Sequence, residues 1–305
     1  MKTLSTVKVF ALGMVTMVLI FVLFSFGDDA KNVTATSDNE AGSPPMRRPA
    51  LPLEMNFAGE KVPLDRWEVR EQLDREVLFN YFGQSNIYYL LKLSDRYFPE
   101  IETALKANGI PGDFKYLCIA ESNLQNLVSR VGASGFWQFM ATTAPGYSLE
   151  VSETVDERYH VAKSTAAACA YLKSAYQRFG SWTAAAASYN CGMGGYNSRA
   201  TFQKTNHYYD LVLPEETQRY IFRILAFKHL LANADSLGFA LPQAERYSPI
   251  KTRSVNVARN IPNLDAFAKE NGSNYKMLKL LNPWLRERSL KVKPGKTYQL
   301  LLPAA

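Results

Sequence analysis

Cysteine is scarce in this sequence, with three residues among 305. The number is odd, and Cys118, Cys169 and Cys191 all lie in apolar or alanine-rich stretches, which argues against a disulfide framework even in an oxidising compartment. Buried free thiols are the favoured interpretation, although one pair could still form a bridge.

Histidine is equally rare. His160, His207 and His229 stand at no spacing to cysteines or carboxylates that would suit a metal ion. The sequence also lacks a glycine-rich phosphate loop, a dinucleotide fingerprint and a serine–histidine arrangement for nucleophilic catalysis. We therefore predict a protein that needs no metal and no organic cofactor.

Acidic residues are few toward the C-terminus. Residues 245–305 hold twelve Lys and Arg against four Asp and Glu, a net charge of +8, whereas the whole chain carries +7. Such a basic segment suits a polyanion, for example an anionic membrane surface or an acidic wall polymer. Because the N-terminus indicates export, we do not expect nucleic acid as the partner.

A long apolar run occurs at the N-terminus. Lys2 and Lys8 precede an almost purely apolar stretch at 9–26, which as a helix would reach roughly 27 Å at about 1.5 Å per residue. We predict a signal anchor or signal peptide at 1–27 and favour the uncleaved membrane anchor, because no small-residue cleavage site follows closely. The basic residues before it predict that the remainder is exported and lies in the periplasm or exterior of the cell envelope.

The rest of the chain shows two patterns. A polar linker at 28–53 is followed by apolar spacing typical of helices, and after Pro242 the pattern changes to short alternating segments around two helices. The sequence thus predicts a mainly α fold, with a helical domain at 54–244 and a small α+β domain of β-α-α-β order at 245–305.

Two features describe the helical domain further. Alanine-rich runs at 165–172 and 183–190 supply small side chains that let helices approach closely. The motif LPEETQRY at 213–220 predicts the start of the last helix. Pro214 lies near the first helical position, and acidic residues occupy the first turn, where the helix dipole favours them.

One carboxylate stands at the end of an apolar run. A helix starting near Phe114 places Glu121 on the same face as Leu117 and Cys118. Partial desolvation there would raise the carboxyl pKa and retain a proton near neutral pH, as a general acid requires. The alternative is a glutamate of the last helical turn that bends to solvent or pairs with an arginine such as Arg130.

The segment SRVGASGFWQFM at 129–140 follows this carboxylate. Its glycines let the backbone approach a ligand closely, and its flat rings and amide group suit a sugar chain. We expect a new helix to open at Phe136.

Five motifs occur together in the order of one enzyme family: AES at 120–122, SRVGASGFWQFM at 129–140, VDER at 155–158, SYNCGMG at 188–194 and LPEETQRY at 213–220. With these motifs the chain resembles the membrane-bound lytic murein transglycosylase D type, within the SLT, lysozyme-like superfamily of lytic transglycosylases. The resemblance covers roughly residues 70–230 and implies a lysozyme-like helical catalytic domain.

The resemblance also implies a reaction. The enzyme would cleave the β-1,4 bond between N-acetylmuramic acid and N-acetylglucosamine in peptidoglycan without water. Glu121 would protonate the glycosidic oxygen and then, as a carboxylate, take the proton of the muramic C6 hydroxyl as that oxygen closes on C1 to give a 1,6-anhydro product. One carboxylate suffices because the nucleophile belongs to the substrate, unlike the two-carboxylate glycosidases.

The family pattern further implies substrate-binding roles for Ser129, Gln138, Met140, Tyr189, Asn190, Glu216 and Tyr220. Alternatives stay open for four of them. Ser129 could simply form a turn, Met140 could be a core residue, Asn190 could only end a helix, and Glu216 could serve the helix dipole.

Two segments resemble the family without carrying chemistry. Residues 156–158, Asp-Glu-Arg, look like a family marker in a solvated or locally paired loop. The C-terminal segment resembles a LysM peptidoglycan-binding module in its order of helix, Asn-Pro, basic turn and closing strand, although the usual Gly-Asp-Thr-Leu start is missing. It would either bind glycan or serve as a degenerate packing domain.

Three functions follow in order of preference. The first is a lytic transglycosylase, and the second is a hydrolase of the goose-type lysozyme kind, which shares the fold and the single glutamate but admits water. The third is a non-catalytic glycan-binding protein of the envelope. In each case the partner is the glycan strand of peptidoglycan.

Overall fold

The computed structural model describes residues 49–304, which form one compact unit. The predicted anchor at 1–27 and most of the predicted linker lie outside the described residues. Within 49–304, no helix has both the length and the apolar composition that a membrane span requires.

Helices make up most of this unit. A short antiparallel hairpin, which the sequence did not predict, comes first and consists of β1 (Asn56–Phe57) and β2 (Glu60–Lys61). Seven helices follow: α1 (Trp67–Phe82), α2 (Gln84–Ala107), α3 (Phe114–Ser122), α4 (Val161–Phe179), α5 (Trp182–Cys191), α6 (Met193–Gln203) and α7 (Glu215–Ala232).

Helix α5 lies at the centre of this helical part. Its alanines 184–187 are fully buried, and their small side chains let α4, α6 and α7 pack against it, as the alanine-rich run predicted. The first backbone N–H groups of α5 donate to Ser181 and to Glu60 of β2 at 2.5–3.2 Å. An acidic group at a helix N-terminus complements the helix dipole, so the hairpin fixes the start of this helix.

The C-terminal part contains β3 (Thr252–Val257), α8 (Leu264–Glu270), α9 (Tyr275–Leu281) and β4 (Tyr298–Pro303). Its two strands pair antiparallel along their full length. The predicted fold class is therefore confirmed: a mainly α protein with a small β-α-α-β part at its C-terminus. The exact boundary near residue 244 stays a prediction.

Two hydrophobic clusters correspond to these two parts. The larger is built from α1 to α7, and the smaller from the elements between β3 and β4, together with Val155 and Tyr159 of the preceding chain. A cavity of about 490 Å³ lies between them, lined among others by Tyr97, Phe136 and Trp284. Beside this cavity the two parts meet through Val155 and Tyr159, which belong to the smaller cluster.

Candidate active site

Glu121 lies in the last turn of α3. The helix begins at Phe114 and ends at Ser122, and the next residue, Asn123, has a left-handed backbone with φ 52°. Phe114, Leu117 and Cys118 are buried, whereas Glu121, on the same face, is half-buried. The sequence pattern predicted this placement, and the carboxyl group lies at the edge of the core.

Burial raises the pKa of Glu121 to about 7. The hydrogen bond from the Tyr220 hydroxyl and the charge of Arg223 act in the opposite direction, and the negative charge of Glu216 raises the pKa further. Arg130 is exposed, and the salt bridges of residues 49–304 do not include Glu121. Near neutral pH the protonated and the deprotonated form of this carboxyl group are therefore both populated.

Helix α7 supplies the groups that face this carboxyl. Tyr220 is buried, and burial together with the charge of Glu121 holds the pKa of its hydroxyl well above the usual range. Glu216 lies one turn earlier and is exposed. Asn190, at the end of α5, accepts a hydrogen bond of 2.8 Å from the Thr217 hydroxyl, which ties the two helices together beside the site.

Tyr189 binds the loop at 129–140 and is close enough to Glu121 to be affected by its charge. Its hydroxyl donates to the backbone oxygen of Trp137 at 2.8 Å. Burial raises the pKa of this hydroxyl well above its usual range, and the charge of Glu121 adds to the effect. Tyr189 thus lies close to the carboxyl group, while its hydrogen bond holds the loop.

The expectation of a helix opening at Phe136 is wrong. Residues 134–139 form a turn closed by a β-bridge between Ser134 and Phe139. Gly135 and Gln138 have φ values of 83° and 48°, which a right-handed helix does not allow. The backbone oxygen of Phe139 accepts a hydrogen bond from Arg158 instead of a helical N–H.

The three predicted substrate contacts of this loop take different positions. Ser129 accepts a hydrogen bond of 3.0 Å from the backbone N–H of Ala133, the turn-forming arrangement. The side-chain amide of Gln138 donates to the backbone oxygens of Gly135 and Leu127 at 2.8 and 3.1 Å. Met140 is 37% exposed, so it is not a core residue. Among the described residues, no hydrogen bond joins any of the three to Glu121.

Of the two alternatives for the segment at 156–158, the locally paired one is confirmed and the solvated one is wrong. Asp156, Glu157 and Arg158 are all buried. The guanidinium group of Arg158 donates to both carboxylate oxygens of Asp156, at 2.9 Å from Nε and 2.7 Å from Nη2. Buried charges need such partners, and Glu157 has a separate one in Lys163.

Two family models match the chain at this point. Residues 99–211 match the transglycosylase SLT domain, and residues 253–305 match the soluble lytic transglycosylase C-terminal LysM-like domain. The chain carries an SLT domain followed by a LysM-like domain. The family resemblance drawn from the five motifs is thereby confirmed.

Curated relatives agree with this assignment. The chain is 28% identical over 198 residues to the membrane-bound lytic murein transglycosylase D of Escherichia coli strain K12, and equally similar to the protein of that name from Escherichia coli O6:H1 strain CFT073. Each alignment covers 62% of this chain and 43% of the relative. The chain thus matches less than half the length of these relatives.

The SLT match includes Glu121 and both aromatic and polar residues of the loop, but it ends before Glu216 and Tyr220. The hydrogen bond between Tyr220 and Glu121 therefore joins the matched segment to a helix beyond it. Helix α7 is needed to complete the surroundings of the carboxyl group.

Sequence reasoning missed Glu76 of α1 and its partners. Glu76 is buried and forms salt bridges with Arg219 at 2.7 Å and Arg223 at 3.8 Å. Its position between Leu73 and Val77 on an apolar helix face was a signal in the sequence. This pairing leaves Arg223 near Glu121 without a direct ion pair to it.

The thiols and the imidazoles lie outside this chemistry. All three cysteines are free, so the alternative of a bridged pair is excluded. Burial raises the pKa of the Cys118 thiol well above its usual range, which keeps it protonated beside Glu121. His160 stacks on Trp284 of the LysM-like domain, with ring centroids 5.9 Å apart.

Proposed function

We propose that this protein is a peptidoglycan lytic transglycosylase of the cell envelope, with Glu121 as its single acid and base. The observation that carries the proposal is the half-buried Glu121 carboxyl group with a pKa of about 7 and a hydrogen-bond donor in Tyr220. The SLT domain and the relatives called lytic murein transglycosylase D support the substrate class.

In the first step protonated Glu121 donates its proton to the oxygen of the β-1,4 bond between N-acetylmuramic acid and N-acetylglucosamine. The C1–O bond breaks, and the N-acetylglucosamine side leaves as an alcohol. The Glu121 carboxylate then removes the proton of the muramic C6 hydroxyl, and that oxygen bonds to C1 to give the 1,6-anhydro ring. The proton that Glu121 loses in the first step is thus returned in the second.

Tyr220 suits both halves of this cycle. Its O–H donates to Glu121, which stabilises the carboxylate that forms after the first proton transfer. The substrate contacts in this proposal are Ser129, Gln138, Met140, Tyr189, Asn190 and Glu216. The basic LysM-like domain would bind further glycan, and the predicted N-terminal segment would hold the enzyme at the membrane.

The pH dependence of turnover tests the acid role. Because the reaction begins with the protonated form of Glu121, whose pKa is about 7, we expect kcat/KM to fall about tenfold for each pH unit above neutrality. The measurement is the rate of release of soluble fragments from purified sacculi between pH 5 and 9. A rate that rises through pH 7 would contradict the assignment.

Replacing Tyr220 with phenylalanine should shift the alkaline limb of the pH–rate profile, that is, the range in which kcat/KM falls. The Tyr220 hydrogen bond lowers the pKa of Glu121, so its loss raises that pKa and shifts the alkaline limb upward, while turnover at pH 7 falls by less than about 100-fold. Tyr176→Phe is the matched control, because Tyr176 is an exposed residue of α4 that stacks on Trp182. A limb that stays in place in Tyr220→Phe would mean that the hydroxyl does not act on the acid.

Product analysis distinguishes the proposed lyase from the two other functions. A lytic transglycosylase releases 1,6-anhydro ends, which are lighter than hydrolysed ends by one water molecule in mass spectrometry. If only reducing muramic acid is released, the protein is a hydrolase of the goose-type lysozyme kind. Binding to sacculi with no release of fragments would identify a non-catalytic glycan-binding protein.

A further inference from the structure

The segment at 150–160, here called the bridging segment, belongs to the SLT domain and contacts the LysM-like domain. The backbone N–H of Asp156 donates to the oxygen of Trp284 at 2.8 Å, and the N–H of Arg286 donates to the oxygen of Thr154 at 2.9 Å. Val155 between them is fully buried in the smaller hydrophobic cluster. The bridging segment is thus held by the backbone and the core of the LysM-like domain.

Carboxylates of the bridging segment strengthen this contact. Glu150, whose side chain is 6% exposed, accepts hydrogen bonds from Tyr298 at 2.8 Å and from Lys296, and Lys293 lies 3.1 Å away. Burial opposes ionisation of Glu150, but these partners outweigh it and lower its pKa to about 2. Lys296 also lies 3.6 Å from the buried carboxylate of Glu157, so one lysine serves two buried acids.

Arg158 extends from the bridging segment to the loop at 129–140. Its Nη1 donates to the backbone oxygens of Gly132 at 2.9 Å and Phe139 at 3.1 Å. Its own backbone oxygen lies so close to Gly135 that a Cβ atom there would be 1.9 Å away. Three points of the loop are therefore fixed by one residue of the bridging segment.

The other side of the same loop is fixed by the elements that carry the proposed acid. Ser122, next to Glu121, donates to the backbone oxygen of Phe136 at 2.8 Å, and Tyr189 donates to that of Trp137. The loop is thus held between the proposed catalytic helix and the bridging segment. A shift of the bridging segment would move the loop against Glu121.

We propose that the LysM-like domain positions the loop at 129–140 of the SLT domain through the bridging segment. Arg158 is the positioning residue, and Lys296 holds the bridging segment on the LysM-like domain. This inference rests on the proposed function. It gives the LysM-like domain a role in turnover that is separate from any binding of glycan. Turnover of a short fragment should therefore depend on the junction, although such a fragment offers little glycan for a second domain.

The test is Lys296→Gln in the full chain, measured on a soluble four-sugar peptidoglycan fragment. We expect kcat/KM to fall about tenfold, since displacement of groups near the chemistry by an ångström is enough for such a loss. Amide hydrogen exchange at 132–139 should become faster, while exchange in α5 stays slow because the larger core remains folded. Lys296→Arg should restore both properties.

Lys291→Gln is the matched control. Lys291 pairs with Glu153 across the same junction, but both side chains are about 70% exposed, and exposed pairs contribute little. Its turnover and exchange should equal those of the parent. The inference is overturned if Lys296→Gln keeps the parent's turnover on the fragment and its exchange at 132–139, even when its binding to sacculi is weaker. A parent that releases no fragments from sacculi defeats the proposed function instead, and the exchange measurement still decides the structural coupling.

Discussion

Replacing Glu121 with glutamine should lower the rate of fragment release from sacculi by about 10³-fold, because the amide keeps the shape of the side chain but can neither donate the proton nor take it back. The variant should still fold and still bind sacculi, since α3 holds this position at the edge of the core. The measurement combines release of soluble anhydro fragments, sacculus binding and the thermal midpoint.

Glu215→Gln is the control for this change. It makes the same carboxyl-to-amide replacement at the start of α7. The side chain of Glu215 is 79% exposed, and its ion pair with Arg75 is weak, with 4.0 Å between the charged atoms. Its activity should match that of the parent. If Glu121→Gln clears sacculi as fast as Glu215→Gln, Glu121 is not the acid.

Gly135→Ala should have the largest effect on stability. A Cβ atom would lie 1.9 Å from the backbone oxygen of Arg158, and the residue has φ 83°. Overlap with backbone and a left-handed conformation together should cost about 4 kcal/mol of unfolding free energy, and a thermal midpoint lower by roughly 8–16 °C is expected for a protein of this size. Thermal and urea unfolding measure both quantities.

Gly132→Ala separates the two causes. Gly132 has a similar φ of 86°, but no atom lies within 4 Å of the position of its Cβ. The same substitution there carries only the backbone cost of about 1 kcal/mol. Equal losses in the two variants would mean that the close approach of Arg158 does not determine the stability of the loop.

The fold was predictable because its signals are local. The helical spacing before Glu121, the acidic first turn of α7 and the alanine-rich run of α5 each specify an element by its own residues, and all three are found as expected. The β-α-α-β order of the C-terminal part was predicted on the same basis. The hairpin at 56–61 was missed because each of its strands has only two residues.

The candidate site was predictable only in part, since spacing does not identify partners. Glu76 and Glu121 both lie on apolar helix faces, yet Glu76 is paired with Arg219 and Arg223, whereas Glu121 receives a hydrogen bond from a neutral tyrosine. Glu76 thus has two cationic partners, whereas among the described residues the carboxyl group beside the tyrosine has none, and its pKa is about 7. These partners come from α7, far away in sequence.

The prediction of a helix at 136 was wrong for a related reason. The residues at 134–139 have the composition of a helix start. Arg158, some twenty residues later, donates hydrogen bonds to the backbone oxygens of Gly132 and Phe139. A buried guanidinium group that binds carbonyl oxygens of a distant loop leaves no periodic pattern in the sequence. Tertiary hydrogen bonds therefore decided the local conformation here.

The cap that Glu60 places on α5 has a practical consequence for dissecting this protein. The carboxylate of Glu60 receives the first N–H groups of the helix that ends at Tyr189 and Asn190, and Glu60 lies 39 residues before the first residue of the SLT match at 99. A recombinant fragment trimmed to the matched range would keep the Ser181 cap but would lose the acidic acceptor of the first two N–H groups. A fragment meant to fold as the catalytic part should consequently include the hairpin at 56–61.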